Sequence, residues 1–213
     1  MSNAREQILT KLAHSRTRTL DTAYQTPTLE SQPIDDPLQR FVQNLEAAQA
    51  EVYQLDQAQL SNWLDQQLDT LGAKSVWAGS EVLENLGVDR ARIRTEISTY
   101  DQVIETCKAD LFDQADVGIT TVAAGIASSG SLVLWPGESE PRLLSLVPPV
   151  HMAIIFKEQI YSYFSELMQM QHWQTGLPSN VVLVSGPSKT ADIEQVLAYG
   201  VHGPRRLITL IIT

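Results

Sequence analysis

The segment Val184-Ser185-Gly186-Pro187-Ser188-Lys189-Thr190-Ala191-Asp192-Ile193-Glu194 carries the strongest local signal for chemistry in this chain. It reads as an apolar strand ending at Val184, a sharp turn at Gly186 and a helix opening near Thr190. Ser188 or Thr190 can cap such a helix, whose first backbone N–H groups would face the space above the sheet edge and attract phosphate or carboxylate. Ser185, Gly186, Ser188, Lys189, Thr190 and Asp192 are therefore candidate ligand-binding residues. The same pattern also describes a plain strand-to-helix turn in which Asp192 and Glu194 only complement the helix dipole. A second loop, Gly125-Ile126-Ala127-Ser128-Ser129-Gly130-Ser131, brings glycine and hydroxyls to a strand end, and it adds Gly130 and Ser131 to the candidates. It is not a Walker A loop, because Ser131 stands where the lysine belongs and a strand follows instead of a helix. Arg142, and His151 after the prolines Pro148 and Pro149, complete the ligand-binding set.

His202 lies in Gly200-Val201-His202-Gly203-Pro204, a turn that has no need of a histidine. Gly200 can end a helix in the left-handed conformation, and Pro204 prevents its continuation. In a parallel sheet a helix end leading into a strand lies at the edge opposite the strand C-termini. His202 is thus expected far from the Ser185–Thr190 cradle, in a structural or partner-facing role. The four histidines show no HExxH spacing, and neither G-x-S-x-G nor G-x-G-x-x-G occurs. No metal site and no catalytic residue is assigned.

The elements that must position these residues alternate. Ala4–Arg16 and Leu38–Ala50 have helical apolar spacing, with the proline-rich Thr26–Pro37 between them as a linker. Residues 1–50 thus read as a helical extension and linker before a domain over 51–213. Val52–Leu55, Ser75–Ala78, Ile93–Ile97, Val117–Val122, Ser131–Trp135, Val150–Phe156, Asn180–Val184 and Leu207–Ile212 read as strands. Gln57–Leu71, Ser80–Leu86, the stretch from Asp101, Ile160–Gln171 and Thr190–Tyr199 read as helices. The late apolar strands point to a mostly parallel sheet buried on both faces, a three-layer α/β/α arrangement. Val117–Trp135 has no room for a helix and reads as an antiparallel insertion. Ligands of such sheets bind outside the C-terminal strand ends, so the Ser185 and Gly130 loops are expected in one cleft with Arg142 and His151.

Composition narrows the partners. Among 213 residues, 15 are Lys or Arg and 25 are Asp or Glu, a net charge of −10. Such a surface repels nucleic-acid backbones and anionic membranes, which leaves a small anionic ligand or a protein as the partner. The one cysteine, Cys107, permits neither an internal disulfide nor a four-thiolate zinc or iron–sulfur site within one chain. The basic residues near the N-terminus are followed by no apolar run, so no secretory signal is expected, and a reducing cytoplasm is the expected compartment.

Four motifs occur in one order: Gly130-Ser131-Leu132-Val133-Leu134, Pro141-Arg142-Leu143-Leu144-Ser145-Leu146-Val147-Pro148-Pro149-Val150-His151, Ser185 to Glu194, and Gly200-Val201-His202-Gly203-Pro204. Together they resemble the LUD domain of the lactate utilization protein C family. The resemblance implies an α/β/α fold similar to the NagB/RpiA/CoA-transferase group. It also implies a cluster-free subunit that works with iron–sulfur partner proteins in oxidising L-lactate to pyruvate. The family often carries an acidic residue where this chain has Ser128, so a role needing that carboxylate does not carry over. It supplies neither a cofactor nor a catalytic residue, and assembly with a second copy of the chain stays open. Two other functions compete: a stand-alone ligase, transferase or isomerase on a CoA-transferase-like scaffold, binding a phosphate- or carboxylate-bearing small molecule, and a scaffold for partner assembly. A glutamate nucleophile at a strand end would favour the former, yet Glu138 and Glu140 lie in a Pro/Gly stretch that reads as flexible.

Overall fold

A strand that is apolar on both faces must be covered on both, and Val150–Phe156 sets that requirement here. The computed structural model describes residues 3–16, 32–100, 104–173, 180–191 and 197–213. It divides into two units, Met1–Gln32 and Pro33–Thr213. In the first, helix α1 (Asn3–Arg16) leaves Ile8, Leu9 and Leu12 exposed. The first half of the expected Thr26–Pro37 linker, residues 26–31, lies outside the described residues.

In the second unit the chain runs in order through α2 (Pro37–Ala47), β1 (Glu51–Leu55), α3 (Leu60–Leu71), β2 (Ser75–Gly79), α4 (Val82–Asn85) and β3 (Glu96–Tyr100). It continues through α5 (Ile104–Gln114), β4 (Val117–Thr121), β5 (Ala124–Ile126), β6 (Ser131–Leu134), α6 (Leu143–Leu146) and β7 (Val150–Phe156). Last come β8 (Ile160–Tyr161), α7 (Phe164–Met170), β9 (Val182–Val184), β10 (Lys189–Ala191), β11 (Leu197–Tyr199) and β12 (Arg206–Ile212).

Six strands form one sheet in the order β1-β12-β7-β4-β2-β3, and every neighbouring pair is parallel. β7 sits inside it, with His151 opposite both Gly118 of β4 and Leu207 of β12. One face carries Val76, Ile119, Met152, Ile154, Ile208 and Leu210 under α3 and α4. On the other face Ala153, Ile155, Leu207 and Ile211 pack against Phe41 and Leu45 of α2 and Leu132 and Leu134 of β6. The β2 end of that face is covered by Cys107 and Leu111 of α5 and Leu144 of α6. Helices thus lie on both faces of a mostly parallel sheet, as expected. At the β1 edge, Arg206 grips Glu51 through two hydrogen bonds of 2.8 and 2.9 Å.

A second sheet, in the order β8-β5-β6-β9, mixes antiparallel and parallel pairs. It corrects one expectation. Val182–Val184 is not a buried strand of the parallel sheet; it pairs antiparallel with β6, and Leu183 is 53% exposed. The expected helix Thr190–Tyr199 is also corrected. Lys189–Ala191 pairs antiparallel with Leu197–Tyr199, the Ser188 carbonyl extends the ladder by accepting from Gly200 N–H, and Ser188 N–H donates outside it to Pro204 O. β-Branched Thr190 and aromatic Tyr199 suit that extended pairing. Three smaller shifts accompany these: the Ile93–Ile97 strand is found at Glu96–Tyr100, Ile160 and Tyr161 form β8 ahead of the helix, and Ser80 does not cap α4.

α2 shows how sequence makes a docked helix. Asp36 accepts from Gln39 N–H at 2.9 Å as N-cap, Pro37 opens the first turn, and Phe41 and Leu45, four apart, bury one stripe. Phe41 is fully buried against the sheet. Phe41→Ala should lower the unfolding free energy by about 3–5 kcal/mol in urea titrations. A loss under about 1 kcal/mol would mean that α2 is not part of the cooperative core.

Candidate functional site

Polar residues inside a double-faced sheet need partners, and His151 has one. It is 1% exposed, and its Nε2 lies 2.8 Å from Oγ1 of Thr120, itself buried on β4. Burial without a counter-charge holds the imidazole down to about 4, so it is neutral at neutral pH. Pro149 accepts the Arg205 and Arg206 N–H groups, at 2.9 and 3.2 Å, which ties the starts of β7 and β12 together beside it.

The small sheet brings the serine loop to the same place. Val184 pairs with Leu132, and the side chains just beyond them meet: Ser185 Oγ lies 2.8 Å from Ser131 Oγ, which lies 2.8 Å from Ser129 Oγ. Two glycines allow α2 to approach. Gly130 has φ +61°, and a Cβ there would lie 2.6 Å from Asn44 Cβ; at Gly186 a Cβ would lie 2.5 Å from Ala48 O. Asn44 Nδ2 fastens the first loop by donating to Ala127 O at 2.8 Å. Gly203 lies against Ser188, whose N–H donates to Pro204 O at 2.8 Å.

The result is a cleft of about 250 Å³. Its polar wall is Ser145, His151, Ser185, Ser188 and His202, and its apolar wall includes Leu146, Leu183 and Leu207. Among the described residues, the cleft wall contains no carboxylate and no lysine or arginine. It can therefore offer hydroxyl and imidazole hydrogen bonds to a small oxygen-rich ligand without a fixed opposing charge.

The outcome for the sequence candidates is mixed. Ser185, Gly186, Ser188 and His151 line one cleft; Ser131 stands behind Ser185, and Gly130 packs on α2. His202 lines the same cleft, against the expectation of distance. The reason is topological: β12 is parallel as expected, but β9 is outside the parallel sheet, so its loop returns to the starting ends of β7 and β12. The cleft accordingly lies toward those starting ends and not outside the C-terminal ends. Among the described residues there is no helix-terminal anion cradle: Lys189–Ala191 is a strand, Ser188 N–H donates to Pro204 O and the Ser188 carbonyl accepts from Gly200 N–H. Lys189 is exposed on β10 and Thr190 follows it there; neither lines the cleft. Arg142 is exposed in a separate groove beside Thr120, Trp135 and Glu140. Asp192 lies outside the described residues.

Sequence reading missed Thr120, Ser145 and Asn44. Thr120 left a trace as a polar residue on a nearly apolar strand, Ser145 lay within the Pro141–His151 motif without being singled out, and Asn44 left none. It also misjudged Glu140. The carboxylate accepts hydrogen bonds from both Thr121 N–H and Thr121 Oγ1, the latter at 2.7 Å. Burial raises its pKa, and those two bonds oppose the rise. Among the described residues no group of three or more His, Cys, Asp or Glu side chains could hold a metal ion, and no helix is long and apolar enough to cross a membrane.

An open α/β protein with a parallel six-stranded sheet, a mixed side sheet and a histidine–serine cleft is the class these observations define. The LUD domain family model matches residues 38–212, and the chain belongs to that family. It is 34% identical to an uncharacterized protein of Neisseria meningitidis serogroup B, over 82% of this chain and 76% of that one. It is 32% identical to lactate utilization protein C of Shouchella clausii, over 75% of this chain and 71% of that one. Lactate utilization protein C of Halalkalibacterium halodurans is 31% identical, over 77% and 71%. The crystal structure of a DUF162 family protein from Deinococcus radiodurans shares the fold, with a TM-score of 0.62 at 20% identity, over 85% of this chain and all of that one.

The buried imidazole generates a pH prediction. Unfolded histidine takes a proton below about 6.5, the folded one only below about 4. Between these values the unfolded chain binds the extra proton, so stability falls as pH drops through that window. The loss should be on the order of 3 kcal/mol. Glu140 acts in the opposite sense, since its raised pKa lets the folded chain hold an extra proton above 4.5. Urea titrations of the wild type and His151→Gln at pH 7, 5 and 4 separate the two, and His151→Gln should lose less stability on acidification. Parallel curves would show that His151 is not held neutral.

Proposed function

We propose that this chain is the cluster-free component of a cytoplasmic L-lactate utilization system, in which iron–sulfur partner proteins carry the electrons released as L-lactate becomes pyruvate. The observation that carries this reading is the likeness, over about three quarters of the chain, to relatives named lactate utilization protein C. The cysteine count supports it, because one thiol cannot hold a four-thiolate cluster. The His151–His202 cleft supports a ligand of the size and chemistry of a small hydroxy or keto acid. Its volume of about 250 Å³ falls below that of drug-sized pockets, roughly 300–1,000 Å³. In this reading the Ser185 and Ser188 hydroxyls and the two imidazoles serve the acid's oxygens, and Leu146 and Leu207 its methyl group.

One observation favours the stand-alone transferase instead: Glu140 stands at the carboxyl end of β4, where a nucleophilic carboxylate would be expected. Its engagement by both Thr121 donors weighs against that role, since a nucleophile must present a free oxygen.

Deleting this gene alone should abolish growth on L-lactate as sole carbon source and spare growth on pyruvate, with rescue by the wild-type gene. A His202→Ala gene, altered on the open side of the cleft, should restore growth poorly. The purified chain should lack stoichiometric iron–sulfur or flavin absorbance and should reduce no dye with L-lactate until the partners are added. Unimpaired growth of the deletion strain, or lactate-dependent dye reduction by the chain alone, would refute the reading.

A further inference from the structure

In an open parallel sheet the natural ligand crevice lies outside the carboxyl ends of the strands, where successive connections leave in opposite directions. Here that point falls between β2 and β4. From β2 the chain proceeds to β3 on one side, whereas from β4 the next strand of the sheet is β7, on the other side. The His151 cleft lies near the other strand ends, so it does not account for this crevice.

The loop between β6 and α6 fills it. Ser139 O accepts from Ser80 N–H at 3.2 Å, just past β2, and a Cβ on Gly79 would collide with that same carbonyl. The next residue, Glu140, places its two carboxylate oxygens on two donors of Thr121, the backbone N–H and Oγ1, at the end of β4. The remainder of the loop is lightly held: residues 137–139 are exposed, a Cβ on Gly137 would meet nothing within 4 Å, and Pro136 and Pro141 bracket the turn. Beside Gly79 and Ser80 opens a further cleft of about 300 Å³ that also touches Arg90 and Glu84. An exposed loop thus sends one carboxylate and one carbonyl into the place the topology reserves for a ligand.

We propose that the crevice between the ends of β2 and β4 is a second binding site, for the carboxylate of a small organic acid, and that Glu140 is its resident occupant, displaced when the acid binds. The ligand class follows from the donors. Thr121 already holds a planar two-oxygen group through one N–H and one O–H, and a free carboxylate can take the same two bonds. The site goes beyond the lactate reading and does not rest on it.

Hydrogen–deuterium exchange on the full chain tests the displacement, with acetate and L-lactate as probes against chloride and inorganic phosphate at equal ionic strength. Either carboxylate should raise exchange across residues 136–140 at least threefold and leave β7 protected, and neither control should do so. Unchanged exchange would overturn the proposal, and an equal response to phosphate would overturn its ligand class. Calorimetry tests the competition. Glu140→Ala should bind acetate at least tenfold more tightly than the wild type, Glu140→Gln severalfold, and Glu140→Ala combined with Thr121→Val should lose the gain. Should Glu140→Ala fail to fold, the Gln variant and the wild-type exchange carry the test; no gain in a folded Glu140 variant overturns it. His202→Ala should leave the loop response intact, whatever it does to growth on lactate. A response abolished by His202→Ala would place the acid in the other cleft and overturn the second site.

Discussion

Everything in the larger unit is arranged around a strand that has no exposed face. β7 has parallel partners on both edges and side chains covered above and below, so Val150 to Ile155 are all buried. The hydrophobic effect fixes the composition of such a strand: nearly every side chain must be apolar, and any exception must find a partner within the sheet. His151 is that exception and Thr120 is its partner. The constraint extends to neighbours with no chemistry of their own. Gly118, opposite His151 in β4, must be glycine because a Cβ there would fall on the Leu144 carbonyl, and it is this absence of a side chain that lets α6 lie over the sheet beside the histidine.

The two ends of the sheet are put to different use. At the starting ends of β7 and β12 the side sheet folds over the parallel sheet, carrying Ser185 and Ser188 to His151 and His202. At the carboxyl ends of β2 and β4 the loop between β6 and α6 covers the switch point. One covalent path links the two arrangements, because β6 runs from Ser131 beside the cleft to Leu134, just before the loop that ends in Glu140.

The chain's own pattern disclosed those elements whose pairing is enforced by burial over five to seven residues. Val150–Phe156 and Leu207–Ile212, nearly all apolar and buried on both faces, could be little else. Val117–Thr121, by contrast, was expected within an antiparallel insertion over Val117–Trp135. It is a parallel strand of the main sheet with Val117 and Ile119 in its core, and only Ala124–Leu134 forms the antiparallel pair. Gly72 and Gly87, in the left-handed region at φ +63° and +68°, close the helices they follow, as glycine after a helical run does. Of the small sheet the pattern disclosed the antiparallel character of the segment up to Trp135, but not the pairing of β8 and β9, because those strands are two and three residues long and owe their existence to distant partners. Leu183 is apolar yet exposed, so its residue type pointed to the wrong sheet. That single misplacement propagated: with β9 set in the parallel sheet, the Ser185 loop went to the wrong end and His202 was separated from it. Glu140 was misjudged for a related reason. Pro and Gly around it signal an irregular backbone, but irregularity says nothing of whether a side chain reaches back to a strand end 19 residues away.

The charge state of the cleft follows from the same burial. In a chain of net charge −10, long-range attraction would not draw in the organic acid proposed for this cleft, so in that reading its selection rests on short, oriented hydrogen bonds, of which the buried Ser145 and His151 supply the least hydrated. A neutral His151 suits this better than a charged one, since its proton can sit on either ring nitrogen. When Thr120 Oγ1 donates to Nε2, the ring hydrogen is on Nδ1 and the imidazole can donate once more; in the reverse arrangement Nδ1 can only accept. A ligand carboxylate contacting that nitrogen selects the first state and an alcohol hydrogen the second. The buried pair can therefore answer both the oxygens and the hydroxyl of a 2-hydroxy acid with no change in the net charge of the sheet.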